Sequence, residues 1–125
     1  MRDGVAIQLA ARAQLMNLLN ITLLPGVAFV VLLLIARRHW HHSAALVRCH
    51  VRGAVWASIW AGVLLGMVSI SIVGMGGLTV PGTWVVLLLY FICCHSALIL
   101  MALYAWSRAA AGQEFRYPLI GIRRW

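Results

Sequence analysis

The sequence predicts an all-α integral membrane bundle of three transmembrane helices with a short interfacial helix at the N-terminus. Three observations predict it. Of 125 residues, 64% are apolar, against about 45–50% in a soluble globular domain. Only 10% carry charge where about 25% is usual, too few to coat a water-soluble globule of this size. The apolar residues also gather into three long stretches free of charge. Such a composition excludes an ordinary soluble enzyme fold, and the length holds one domain at most.

Residues 1–17 form the expected outer tail. Within 5–17, Val5, Leu9, Ala13 and Met16 recur at near-helical spacing while Gln8 and Arg12 fall elsewhere, which suits either a helix lying in the membrane interface or a frayed tail. Residues 18–36 are uncharged and reach about 28 Å as a helix, close to the hydrocarbon thickness of a bilayer. They are the expected first span. Pro25 removes a backbone donor in its opening half, a flaw that membrane helices tolerate when neighbours compensate. Arg37, Arg38 and a histidine-rich run follow where a cleaved signal peptide would carry small residues, so this helix is expected to be retained. Residues 53–74 are the expected second span, at about 33 Å. Residues 83–106 are the third, uncharged apart from the ionisable His95 near their middle and long enough to tilt. The Gly- and Pro-rich stretch 74–82 is a turn, and 107–125 is a tail in which Gly112 is placed to end a helix.

An odd number of spans puts Arg37, Arg38, Arg48 and Arg52 on the same side as Arg108, Arg116, Arg123 and Arg124. Only Arg2 and Arg12 then lie opposite. The positive-inside rule turns the larger group to the cytoplasm and predicts a bacterial inner-membrane protein with its N-terminus outside and its C-terminus inside. Trp84 falls at the outer interface and Trp40, Tyr104 and Trp106 at the inner one, where amphipathic rings are favoured. Arg37, Arg38, Arg48, Arg52, Arg116, Arg123 and Arg124 are the expected contacts to anionic headgroups or partner subunits. No nucleic acid is expected.

Ala54, Ser58, Gly62 and Gly66 recur every four residues, a ridge that lets another helix approach closely. It packs either within the chain or against a partner. A membrane-embedded histidine is the sharpest single feature. His95 is either an axial ligand to haem or a chlorophyll-type pigment, or a neutral imidazole hydrogen-bonded to a neighbouring helix through Ser58 or Ser69. His50 lies about 16 Å nearer the cytoplasmic edge by helix rise, a mismatch for a shared haem. His39, His41 and His42 match no metal motif and lie among arginines, so headgroup contact is favoured over a cation. Cys49, Cys93 and Cys94 are an odd count and read as small apolar fillers. The only acids, Asp3 and Glu114, lie outside the spans, and the sequence contains no GxSxG, HExxH, P-loop or CxxC.

The expected function is therefore a non-catalytic accessory subunit of a larger inner-membrane complex, docking through its helices and cytoplasmic tail and needing no cofactor. The alternatives are a tetrapyrrole- or quinone-binding subunit using His95, and a translocation or channel component.

Two stretches carry a family resemblance. AAAGQEFRYP over 109–118 is similar to A-x-x-G-E-x-[FY]-R-Y-P, with Gln113 in place of the usual acid, and LVRCHVRGA over 46–54 is similar to F-V-R-E-H-A-K-E-A, with His50 on the histidine. Cys49 replaces an acid, and Trp56 stands where an asparagine is common. These patterns belong to small bacterial membrane proteins of unknown function, distantly related to a chloroplast inner-envelope protein-import component. The resemblance covers about residues 18–119 and implies a compact three- or four-helix membrane protein. It implies no established activity for the bacterial members.

Overall fold

The computed structural model describes residues 2–117, and all their regular structure is helical: α1 Arg2–Thr22, α2 Val27–His39, α3 Ala45–Gly76 and α4 Pro81–Ala110. α3 and α4 have 32 and 30 residues, about 48 and 45 Å by helix rise. They are the two helices long and apolar enough to cross a membrane.

The expected first span does not form as one helix. Pro25 cannot donate to the Ile21 carbonyl four residues back, and its ring clashes with it. α1 therefore stops at Thr22, Gly26 takes the left-handed φ of 83°, and the chain reverses into α2. With 13 residues, α2 reaches only about 20 Å. It lies antiparallel to α1: Leu9 and Arg12 face Ile35 to His39, while Asn20 and Ile21 lie by Phe29 near the turn.

α1 runs from Arg2 to Thr22, past the expected 5–17, and packs within the bundle. One face carries the predicted Leu9, Ala13 and Met16 against α2 and α3, and Ala10, Gln14 and Asn17 are fully buried beside it. Small side chains let α1 sit centrally, touching every other helix. One cluster joins Ala13, Leu32, Ala36, Val47, Val51, Ala54 and Val55 across α1, α2 and α3, and a second joins Ala57, Ala105 and Tyr117 across α3, α4 and the segment beyond. Alanine and valine make up all of the first cluster but Leu32, and alanine all of the second but Tyr117, small side chains that let helices approach closely.

The hairpin also brings the start of the chain to one end of the bundle with the end of α4. Because α1 and α2 go out and return, the start of α1 lies at the same end as the α2–α3 connection and the end of α4. Ile7 packs against Gly112, whose φ of 71° ends α4, and Arg12 lines one groove with Arg37 and Arg38. No charged residue occurs in 13–36 or 53–107, so every described charge belongs to this one end.

α3 begins eight residues earlier than the charge-free run suggests. Arg48 and Arg52 do not interrupt the helix, because the connection before it accepts their donors. Arg48 Nη1 donates to the His42 and Ser43 carbonyls at 2.6 and 2.7 Å. Arg52 Nε and Nη2 donate to the Trp40 carbonyl at 3.0 and 2.8 Å, with the guanidinium 5.1 Å above the Trp40 ring. Further along, α3 widens into a π-turn at Val63–Met67, and the Tyr90 hydroxyl donates to the Leu64 carbonyl within it. At the far end, Gly76 touches α4 so closely that a Cβ there would overlap Thr83 Oγ1. Trp84 Nε1 closes the turn onto the Leu78 carbonyl at 2.8 Å.

Candidate functional site

Five buried polar side chains from three parts of the chain meet at the basic end. Ser58 Oγ donates to Asn17 Oδ1 at 2.7 Å, and Asn17 Nδ2 donates to the Tyr117 hydroxyl at 3.1 Å. That hydroxyl donates to Gln14 Oε1 at 2.7 Å, and Gln14 Nε2 donates to His50 Nδ1 at 3.0 Å. His50 Nε2 completes the series on the Gln113 carbonyl at 2.8 Å. A carbonyl only accepts, so the imidazole proton sits on Nε2 and Nδ1 is the bare acceptor. All five hydrogen bonds run in one direction, an arrangement in which each bond polarises the next.

Each member is 0–4% exposed, and an unmet polar group there costs on the order of 1–3 kcal/mol. The chain of bonds therefore fixes where residues 113–117 lie. The Cys49 thiol adds a bond to the Phe115 carbonyl at 3.3 Å, and the Phe115 ring meets Tyr104 and Tyr117 edge-on, each at 5.1 Å. The Tyr117 ring lies against Gly53. Burial pushes the Tyr117 phenol up, opposed by its bond with Asn17, so the hydroxyl stays neutral and keeps both roles.

The tail expectation changes accordingly. Residues 113–117 fold back on their own helices instead of presenting Phe115 and Tyr117 to the interface or to a partner; Pro118 to Trp125, with Arg123 and Arg124, lie outside the described residues. The two stretches that carry the family resemblance are the ones brought together, through His50 with Gln113 and Gly53 with Tyr117. Gln14 and Asn17 escaped the sequence reading. Their signal was two amides three residues apart among alanines at helical spacing, a polar line on one face of an otherwise apolar helix.

His95 sits halfway along α4 and donates from Nε2 to the Ile21 carbonyl at 2.8 Å. Neither Ser58 nor Ser69 is its partner. Ile21 is the residue whose carbonyl Pro25 leaves without a backbone donor, so the imidazole supplies what proline lacks. Asn20 Oδ1 does the same for the Gly26 N–H at 2.9 Å. Axial ligation through Nε2 would have to break the bond to Ile21.

The small-residue ridge divides. Ala54 and Ser58 are buried against the chain's own helices, whereas Gly62 and Gly66 are exposed and a Cβ on either would meet nothing within 4 Å. Both glycines line a groove of about 570 Å³ above the α1–α2 turn, with Phe29, Phe91 and His95 on its walls. Of the expected basic contacts, Arg37, Arg38 and Arg116 are exposed. Arg48 and Arg52 instead turn their guanidiniums onto the α2–α3 connection. Among the described residues no group of three or more His, Cys, Asp or Glu side chains is placed to hold a metal ion.

Comparison with known proteins finds no matching family model, no matching curated protein and no matching solved structure.

Proposed function

We propose that this chain is a non-catalytic multi-pass component of a bacterial inner membrane, docking onto a larger membrane complex. In this proposal α3 and α4 cross fully, and the α1–α2 hairpin enters from the cytoplasmic side to mid-depth and returns, leaving both described chain ends in the cytoplasm. The observation that carries the proposal is the segregation of charge. Every described charge lies at one end of the bundle, and the far half of α3 and α4 is apolar and exposed at Met67, Ile70, Met75, Val85, Leu88 and Leu89. Water would not tolerate so large an apolar surface on a monomer. Lipid or another helix would.

Docking through the upper ridge is supported by Gly62 and Gly66, which the chain's own helices leave uncovered. The lower ridge and residues 113–117 are engaged internally and are not part of the proposed contact. The kinship with small bacterial membrane proteins related to an envelope import component is retained on the same footing, its two motif stretches being in contact. The tetrapyrrole alternative has weaker support, because His95 Nε2 caps α1. A channel has none, since no charge lies between Arg52 and Arg108 to line a path.

A photo-crosslinker at position 66 in native membranes tests the proposal. A crosslinked adduct with a second membrane polypeptide is expected, and one that disappears when the crosslinker moves to position 57 on the buried face. Crosslinks to lipid alone would contradict docking at this face. An absorbance spectrum of the purified protein with a Soret or pigment band lost in His95→Ala would favour the cofactor reading instead.

A further inference from the structure

The return of α2 beside α1 builds a second groove, at the basic end, that neither helix possesses alone. It measures about 700 Å³ and is lined by Leu9 and Arg12 of α1 and by Val31, Leu34, Ile35, Arg37, Arg38 and His39 of α2. Its two halves differ in chemistry. Arg12, Arg37 and Arg38 line it toward the basic end, and Val31, Leu34 and Ile35 line it toward the apolar half of the hairpin.

Arg12, Arg37 and Arg38 are exposed and have no hydrogen-bond or ion-pair partner among the described residues. The contrast with Arg48 and Arg52 is informative, because those two are held by carbonyls of the α2–α3 connection. Nor can local acids neutralise the groove. Asp3 and Glu114 are the only carboxylates in the sequence, and neither lines it. Three neighbouring cations without a counter-charge repel one another, and the hairpin that brings them together stabilises them only if an anion joins them. Guanidinium favours phosphate for this, since its planar fork donates two parallel bonds.

We infer that this groove binds an anionic phospholipid, its headgroup phosphate held by Arg12, Arg37 and Arg38 and one acyl chain lying along Val31, Leu34 and Ile35. Basic pockets between membrane helices on the cytoplasmic side recognise such headgroups. A free phosphate satisfies the guanidiniums but gives the aliphatic wall no partner. A zwitterionic lipid satisfies the wall but brings an ammonium to a site already carrying three positive charges. A lipid with two phosphodiesters matches both ends best, because it neutralises two of the three charges. The inference rests on the membrane placement proposed above and adds Arg12, which a three-span topology would have put on the opposite side.

Native mass spectrometry of the full chain, released from micelles doped with equimolar phosphatidylcholine, phosphatidylglycerol and diphosphatidylglycerol, tests it. Diphosphatidylglycerol is expected to be retained in preference to phosphatidylcholine. Arg12→Gln, Arg37→Gln and Arg38→Gln should each lower its occupancy about fivefold, the effect of one basic residue at a membrane surface. Arg108→Gln removes the same charge from elsewhere on this end and should leave occupancy unchanged. Equal losses in all four variants would mean diffuse attraction and would overturn the proposal, as would retention without regard to headgroup. Displacement of the lipid by excess inorganic phosphate would reassign the groove to a soluble anion. If the chain did not partition into membranes at all, the membrane placement would fail instead, a result that fractionation separates from loss of lipid selectivity.

Discussion

Tyr117 shows how much one hydroxyl determines. It accepts from Asn17 and donates to Gln14, so removing it leaves an amide donor and an amide acceptor without partners in the same buried space. Tyr117→Phe keeps the ring, its edge-on contact with Phe115 and its place beside Gly53. The expected cost is about 1–3 kcal/mol, read as a lower unfolding midpoint in detergent with unchanged helix content. His50 gives a spectroscopic counterpart. Nitrogen-15 spectra should show Nε2 protonated and Nδ1 bare at neutral pH, since Nε2 faces a carbonyl and Nδ1 faces an amide donor. The opposite tautomer would set a bare Nε2 against the Gln113 carbonyl and would contradict the bond between them. The two motif stretches singled out His50 and Tyr117 but not their meeting, since alternation along the tail pointed Tyr117 to the interface or a partner. Gln14 and Asn17 were not legible, because isolated amides in a helix carry no spacing rule that distinguishes a buried partner from a solvated one.

Among the elements, the α1–α2 hairpin is where sequence and structure part. A charge-free run measures only how far a segment can stay in lipid. It does not say whether the segment goes straight through or turns back, and residues 18–36 satisfy the length test while turning back. Pro25 was visible as a flaw, but its outcome depended on His95, 70 positions later, reaching the carbonyl it orphaned. The pair makes a direct prediction. His95→Leu should destabilise the hairpin, lowering the thermal midpoint, whereas the same substitution in a Pro25→Ala background should cost less, because an N–H four residues after Ile21 is restored. Equal effects in both backgrounds would separate the histidine from the turn. The other end of the α3–α4 pair depends on a close approach instead. Gly76→Ala should destabilise by about 1–3 kcal/mol through overlap with Thr83, and Thr83→Ala should relieve most of it. By contrast α4 was legible in the sequence within a few residues at each end, while α3 starts eight residues early because Arg48 and Arg52 are held by backbone carbonyls that a charge scan cannot see.

For the molecule as a whole, the proposed membrane placement depends on the turn at Pro25. Three spans would separate Arg2 and Arg12 from the other arginines. Two spans and a hairpin that reaches mid-depth gather all described charge on one side, and the positive-inside rule then orients the chain without a minority to explain away. The measurement that tests this most directly is labelling of single cysteines by a membrane-impermeant maleimide in right-side-out vesicles, after Cys49, Cys93 and Cys94 are replaced by alanine. Cysteine at position 78 should label from outside. Positions 3, 43 and 113 should label only once the vesicles are opened, and position 24 should resist the reagent under both conditions. Labelling of position 3 from outside, together with position 78, would contradict the hairpin and restore three spans.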